Sequence, residues 1–128
     1  TDPELGQVGL TEADARAAHG DSIRVLRAHF NENDRAQAER RTEGLMKLVT
    51  DRRGKILGAG AVGPNAGDLL TPWALAVARG DKVGLIASVI LPYPTRSEAS
   101  KRAAGAFYTP RLYGPCTRQL VRLLAKLG

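Results

Sequence analysis

One cysteine, one methionine, one tryptophan and two histidines stand in 128 residues, and aromatic side chains make up only 5% of the chain. Each shortage excludes something. The lone Cys116 cannot form an internal disulfide or a Cys-x-x-Cys metal or redox pair. His19 follows a helical stretch and His29 sits in an extended one. Both read as surface or satisfied histidines, so no metal ligand set is expected. The few aromatics do not interleave with basic residues, which argues against a base-stacking surface, and no nucleic-acid partner is expected. Long apolar runs are missing too. The greasiest region, Leu69 to Ile90, is cut by Arg79, Asp81 and Lys82, so neither a membrane span nor a membrane partner is expected. No charged, then apolar, then small-residue segment opens the chain in the manner of a secretory signal. Together these point to a cytoplasmic location.

What is present is ordinary for one globular domain spanning residues 1–128: 43% hydrophobic and 25% charged residues. The net charge of +6 raises the alternative of an independent basic module that binds nucleic acid or an acidic partner. Its basic residues are scattered, as Arg35, Arg40 with Arg41, Arg52 with Arg53, Arg102, Arg111 and Arg118. That scatter reads as a solvated surface.

Along the chain, Val8 to Leu10 ends a short strand. Thr11-x-x-Asp14 then resembles a capping box for a helix to His19, stopped by Gly20. Ile23 and Val25 alternate, then Leu26, Ala28 and Phe30 alternate out of phase, which a bulged strand would explain. Asn31 to Thr42 is polar and reads as a loop or short exposed helix. Leu45–Thr50 and Lys55–Val62 are strands joined by the turn Asp51–Gly54, making a hairpin. A helix follows with Asn65 as N-cap and Asp68 at N3, its apolar face formed by Ala66, Leu69, Leu70, Trp73, Ala74, Val77 and Ala78. Pro72 is expected to kink it. Asp81 caps a shorter helix to Ile90. "LPYPTRSE" is a proline-pinned loop, and Thr95-x-x-Glu98 opens a helix over Arg96–Tyr108. A last helix, Cys116 to Leu127, sets Cys116, Leu120, Leu123, Leu124 and Leu127 opposite Arg118, Arg122 and Lys126; Cys116 on that face is expected to be buried. The layout predicts an α+β domain: a mainly antiparallel sheet of four or five strands, with helices packed on one face.

Gly58, Gly60 and Gly63 spell G-x-G-x-x-G, the dinucleotide fingerprint. That motif acts in the first turn of a strand–helix–strand unit, with an acidic residue about 20 positions on at a strand end. Here the glycines fall in the second arm of a hairpin. Pro64 follows them, and Asp81 lies between helices. The glycines, with Ala59 and Ala61, read instead as small residues that let a strand approach a neighbouring helix.

Three segments, "TDPELGQVGLTEADA", "RRTEGLMKLVTDRRGKILGAGAVGPNAGDLL" and "YPTRSEASKRAA", together resemble the C-terminal dimerisation domain of the pyridine nucleotide–disulfide oxidoreductases, flavoproteins that include dihydrolipoamide dehydrogenase, glutathione reductase and mercuric reductase. The resemblance covers residues 1–104 and leaves a helical tail over 105–128. It implies that the chain is a fragment of a longer flavoprotein, whose FAD and NAD(P)H domains and redox cysteine pair precede it. The fragment alone is expected to bind no cofactor and to be inactive. The longer protein is expected to be an FAD- and NAD(P)H-dependent oxidoreductase, a homodimer in which each copy completes its partner's active site.

The family motif for that role is His-Pro-Thr-x-x-Glu, in which the histidine serves an interchange thiol as acid and base and the glutamate orients it. This chain reads Tyr93-Pro94-Thr95-Arg96-Ser97-Glu98. The resemblance therefore assigns Tyr93 and Glu98 as catalytic, and Tyr93 with Pro94 as contacts to the partner subunit's FAD. A tyrosine titrates near ~10 against ~6.5 for histidine, so Tyr93 is a donor at neutral pH rather than a base. Mercuric reductases also carry tyrosine here, which makes that branch the nearer match. They end in a cysteine pair, however, which this sequence does not show. The interface is expected to use the Trp73 helix region, the Tyr93–Thr95 loop and the helix after it.

Overall fold

The computed structural model describes residues 2–112 and 114–127. Among them, four strands form one antiparallel sheet: β1 (Glu4–Gly9), β2 (Ile23–His29), β3 (Leu45–Asp51) and β4 (Ile56–Gly63), in the order β1-β4-β3-β2. The helices are α1 (Glu12–His19), α2 (Asp34–Ala38), α3 (Ala66–Arg79), α4 (Val83–Ser88), α5 (Glu98–Ala106), α6 (Thr109–Leu112) and α7 (Pro115–Leu127). The α+β architecture expected from the sequence is thus the observed one.

The hairpin β3–β4 is set by its turn. Asp51 Oδ1 accepts from the Arg53 and Lys55 amides at 2.8 and 2.9 Å, and Gly54 takes φ +89°. Local side-chain acceptance of this kind is why aspartate opens turns. The bulge lies here and not in β2. Val49 pairs with Gly58 but Thr50 with Ile56, which leaves Leu57 as the extra residue. β2 pairs residue for residue, from Ile23–Asp51 to His29–Leu45. Its change of phase has another cause: the strand is covered on both faces. Leu26 and Ala28 face the main core with Met46, Leu48, Ala59, Ala61, Leu70 and Trp73. Ile23 and Val25 face the other way, onto Ala15 of α1 with Val49 and Leu57. Helices α3 and α5 cover one face as expected, and α1 covers part of the opposite one.

The glycines of the fingerprint lie within β4 and make no phosphate cradle. A Cβ on Gly58 would meet the Leu10 carbonyl oxygen at 1.9 Å, one on Gly60 the Gln7 side chain at 2.6 Å, and one on Gly63 the Phe30 ring at 2.6 Å. The space they leave is already filled by protein. Ala59 and Ala61, not the glycines, belong to the core cluster shared with α3.

Helix α3 runs through Pro72 and buries Ala66, Leu69, Leu70, Trp73 and Ala76. Ala74 and Ala78, expected on that face, are exposed. Asn65 precedes the helix in the left-handed region (φ 61°, ψ 25°) and its side chain makes no cap. Glu4 of β1 supplies the acceptor instead, with Oε2 3.0 Å from the Gly67 amide. Asp81 likewise does not cap α4. Its carbonyl accepts from the Ile56 amide at 3.1 Å and its carboxylate pairs with Arg79 at 3.2 Å. The Thr11 cap of α1 is formed as expected, accepting from the Asp14 amide at 3.1 Å.

Trp73 is fully buried, and its Nε1 donates to Ser100 Oγ of α5 at 3.0 Å. It is a core residue joining α3 to α5, which removes it from any interface. On the same helix Leu75 is a large apolar side chain left exposed.

Candidate functional site: the Tyr93–Pro94 loop and its cleft

The loop that follows α4 is held by short contacts of its own. Tyr93–Pro94 is a cis peptide. Thr95 Oγ1 donates to the Pro92 carbonyl at 2.8 Å, so the hydroxyl is spent inside the loop and does not cap α5. The expected capping box is absent. Ser97 precedes α5 with no side-chain cap, and Glu98 contributes its backbone amide, 3.4 Å from the Thr95 carbonyl.

A second element fixes the loop from outside. The polar stretch after β2 folds as a 3₁₀ turn (Phe30–Glu32) and the short helix α2. Asn33 is buried and acts in both directions. Its Oδ1 caps α2 at the Ala36 amide (3.0 Å), and its Nδ2 donates to the Thr95 carbonyl (3.0 Å). Next to it, Asp34 Oδ2 accepts from the Tyr93 hydroxyl at 2.8 Å. Tyr93 is otherwise open, 69% exposed.

Behind the loop, Arg96 is buried to 7% exposure. Its Nε and Nη2 both donate to Glu39 Oε2, at 3.2 and 2.9 Å, and Nη2 also reaches the Arg41 carbonyl at 3.1 Å. The guanidinium lies over the Phe30 ring, 5.5 Å from its centroid, in cation–π range. Arg35 closes the other side of Glu39 at 2.6 Å. Hydrogen bonds from Arg35 and then Arg96 hold the Glu39 carboxyl below the usual carboxylate range.

Tyr93 and Glu98 line one cleft of about 420 Å³, with His29, Glu32, Asn33, Asp34, Ala99, Lys101 and Arg102. The structure thus brings the two assigned residues together without bonding them. Glu98 is half-buried at the start of α5, and among the described residues no hydrogen bond or ion pair holds its carboxylate. Asp34 holds the tyrosine in its place. The hydrogen bond to Asp34, and then its charge, push the Tyr93 phenol above the ordinary value, with a smaller push from Glu98. Pro94 is exposed beside it. Cys116, expected to be buried, is exposed on α7.

Sequence reasoning passed over Asn33, Asp34, Glu39 and Arg96. Asn33 three residues before Ala36 carries the spacing of an N-cap, a signal that could have found α2. Nothing local links Asp34 to Tyr93.

An apolar strip leads into the loop. Leu85 is 48% exposed and Ile90 93%, with Val89 between them also open. Exposed apolar surface contiguous with a polar site marks an interaction face.

The comparisons with known proteins agree with this geometry. The family model for the pyridine nucleotide-disulphide oxidoreductase dimerisation domain matches residues 1–104. The chain is 42% identical over 105 residues to a dihydrolipoyl dehydrogenase of Halobacterium salinarum, covering 81% of this chain and 22% of that protein. It is 39% identical over 109 residues to a leghemoglobin reductase of Glycine max, covering 84% and 21%. The chain therefore spans about a fifth of the length of the curated relatives it matches. Among solved structures, LpdA from Mycobacterium tuberculosis superposes with a TM-score of 0.76 at 28% identity, covering 83% of this chain and 23% of that one. The flavoprotein disulfide reductase RclA from Escherichia coli, solved with Cu(II), shares the fold at a TM-score of 0.77 and 23% identity, over 83% of this chain and 24% of that one. An antiparallel sheet in which G-x-G-x-x-G is a strand, a Pro-Thr loop beside a cleft of mixed charge, and these matches lead to one conclusion: the chain belongs to the dimerisation-domain family of the pyridine nucleotide–disulfide oxidoreductases.

Proposed function

We propose that this chain is the dimerisation domain of a cytoplasmic FAD- and NAD(P)H-dependent oxidoreductase, and that in the homodimer its Tyr93–Pro94 loop completes the flavin and cysteine site of the partner subunit. The observation that carries the reading is the loop itself. It keeps the Pro-Thr-x-x-Glu pattern, projects Tyr93 and Pro94 into solvent, and is braced from behind by Asn33 and Asp34. The strip from Leu85 to Ile90 supplies apolar surface beside it for a twin subunit.

Bound FAD would pass reducing equivalents from NAD(P)H to the redox cysteines of the longer protein. This chain's part is to present a phenol that keeps its proton. Asp34 raises the Tyr93 pKa, so the phenol gives up its proton less readily than free tyrosine and holds it throughout the neutral range. Dithiol–disulfide exchange needs a partner that titrates near neutrality, and Tyr93 is not one. The reading therefore favours a mercuric-reductase-like acceptor that demands no matched base, a metal ion or a quinone, over a lipoamide-type disulfide. The identity to dihydrolipoyl dehydrogenases supports the family, and the residue at position 93 supports the departure.

The test compares the full-length wild type with Tyr93→His and Tyr93→Phe. Tyr93→His should raise disulfide reductase activity, and Tyr93→Phe should lower turnover of the native acceptor. If the wild type already reduces lipoamide or glutathione disulfide efficiently and Tyr93→Phe changes nothing, Tyr93 is only packing and the reading fails.

A further inference from the structure

The charge of this chain is divided in a way the family match does not use. All 13 acidic residues lie at or before Glu98, and the cationic residues up to that point equal them in number. The net charge of +6 therefore belongs wholly to residues 99–128, as Lys101, Arg102, Arg111, Arg118, Arg122 and Lys126. The apparent scatter of basic residues is balanced over the body of the domain and unbalanced in the tail.

Three of those cations sit on α7, at i, i+4 and i+8, in one stripe along the helix. The opposite side carries Leu120, Leu123 and Leu124, flanked by Val121. These four side chains are 55–59% exposed, so the body of the domain does not cover them. A helix of 13 residues is about 20 Å long. Among the described residues no helix is long and apolar enough to cross a membrane. A second copy of α7 would meet the leucines but bring three like charges and no acidic residue to pair them. Nucleic acid would satisfy the cations but offers no place for four leucine-like side chains, and α7 carries no aromatic residue to stack on bases. The surface that takes both stripes at once is the headgroup boundary of an anionic bilayer. There apolar side chains enter the acyl edge, while Arg and Lys extend their heads to the phosphates.

We infer that α7 docks this protein onto an anionic lipid surface, with Leu120, Leu123 and Leu124 inserted and Arg118, Arg122 and Lys126 at phosphate level. A single short helix with three cations gives reversible adsorption rather than permanent anchoring. This inference stands apart from the role given to Tyr93, since α7 lies outside residues 1–104.

The test is co-sedimentation of the 128-residue chain with phosphatidylcholine vesicles, with and without about one-third phosphatidylglycerol. The chain should sediment with the anionic vesicles, stay in solution with the neutral ones, and be partly released by high salt. Arg118→Gln with Arg122→Gln should weaken partitioning roughly 25-fold, about fivefold per cation. Leu120→Gln with Leu124→Gln should abolish it, while Leu5→Gln, an exposed apolar side chain on β1, should leave it unchanged. Circular dichroism of the variants checks that the body stays folded around Trp73. Binding that survives the leucine substitutions, or is matched by soluble polyglutamate, overturns the inference in favour of an acidic protein partner. Binding lost in Leu5→Gln assigns it to exposed apolar side chains of the body rather than to α7, and absence of binding to anionic vesicles ends it.

Discussion

The hydroxyl of Tyr93 donates to the carboxylate of Asp34 over 2.8 Å, across 59 residues of sequence. That one bond changes who orients the residue at position 93. Glu98, the acid that the sequence motif supplies, lines the same cleft but is not the partner. The short helix α2 therefore belongs to the site, and the direction in which Tyr93 points depends on an element outside the motif.

Removing the Asp34 charge should bring the Tyr93 phenol back toward its ordinary value of 10.0. The measurement is phenolate absorbance against pH for wild type and Asp34→Asn, with Tyr93→Phe identifying this tyrosine's share. The folded value lies above the unfolded one. Any stability from the pair is thus fully present below pH 10.0 and is lost as the pH rises through the folded value. Superimposable titration curves would show that the bond does not persist in solution.

Glu12 and Glu39 should shape the acid side of the stability profile. Hydrogen bonds from Lys47 and Arg16 lower the first, and from Arg35 and Arg96 the second. Their folded values fall below 4.5. Their contribution is therefore complete above that pH and fades as pH drops through the folded values. Urea unfolding of Glu12→Gln and Glu39→Gln should show a shallower loss of stability below pH 4.5 than wild type. A wild-type slope in both variants would mean that these pairs are solvated away.

Arg96→Ala should cost about 2–3 kcal/mol, because it removes a buried guanidinium that donates to the Glu39 carboxylate and the Arg41 carbonyl, and it uncovers the Phe30 ring. Arg96→Met keeps the stem over Phe30 and also removes Nη1, a buried nitrogen with no hydrogen-bond partner, so it should cost less than Arg96→Ala. Chemical denaturation ranks the two, and equal losses would place the energy in the charge rather than the packing.

Two glycines should respond oppositely to alanine. Gly58→Ala drives a methyl to within 1.9 Å of the Leu10 carbonyl and should unseat the β1–α1 connection, lowering the melting temperature sharply. Gly105→Ala, in α5 with nothing within 4 Å, should raise stability by about 0.5–1 kcal/mol through helix propensity. Equal and small effects would show that the sheet relaxes around Gly58.

The isolated chain should bind neither FAD nor NADPH in calorimetric titration, because the spaces beside Gly58, Gly60 and Gly63 are filled by Leu10, Gln7 and Phe30. Stoichiometric binding at micromolar affinity would overturn this and place a nucleotide site elsewhere on the domain.

The sequence by itself determined the elements whose causes are local. Asp51 and Gly54 write their own turn, Thr11 caps its own helix, and the 3.6-residue rhythm of α3 shows in Leu69, Leu70 and Trp73. The same locality makes the glycine run a strand: the arm of a hairpin cannot also be a βα turn. The tertiary structure alone decided everything that rests on a partner distant in sequence. The acceptor for the start of α3 is Glu4, 63 residues away, where Asn65 was the local candidate. The Thr95 carbonyl is held by Asn33, 62 residues away, in a loop where the Thr95 hydroxyl turns back to Pro92 and leaves the expected box with Glu98 unmade. The two phases of β2 record two packing partners on opposite faces, which a one-dimensional pattern cannot separate from a bulge. Asp34 meets Tyr93 only because β2 and the 3₁₀ turn deliver α2 to the loop. Hydrogen-bond range is a few ångströms in space and carries no signature along the chain.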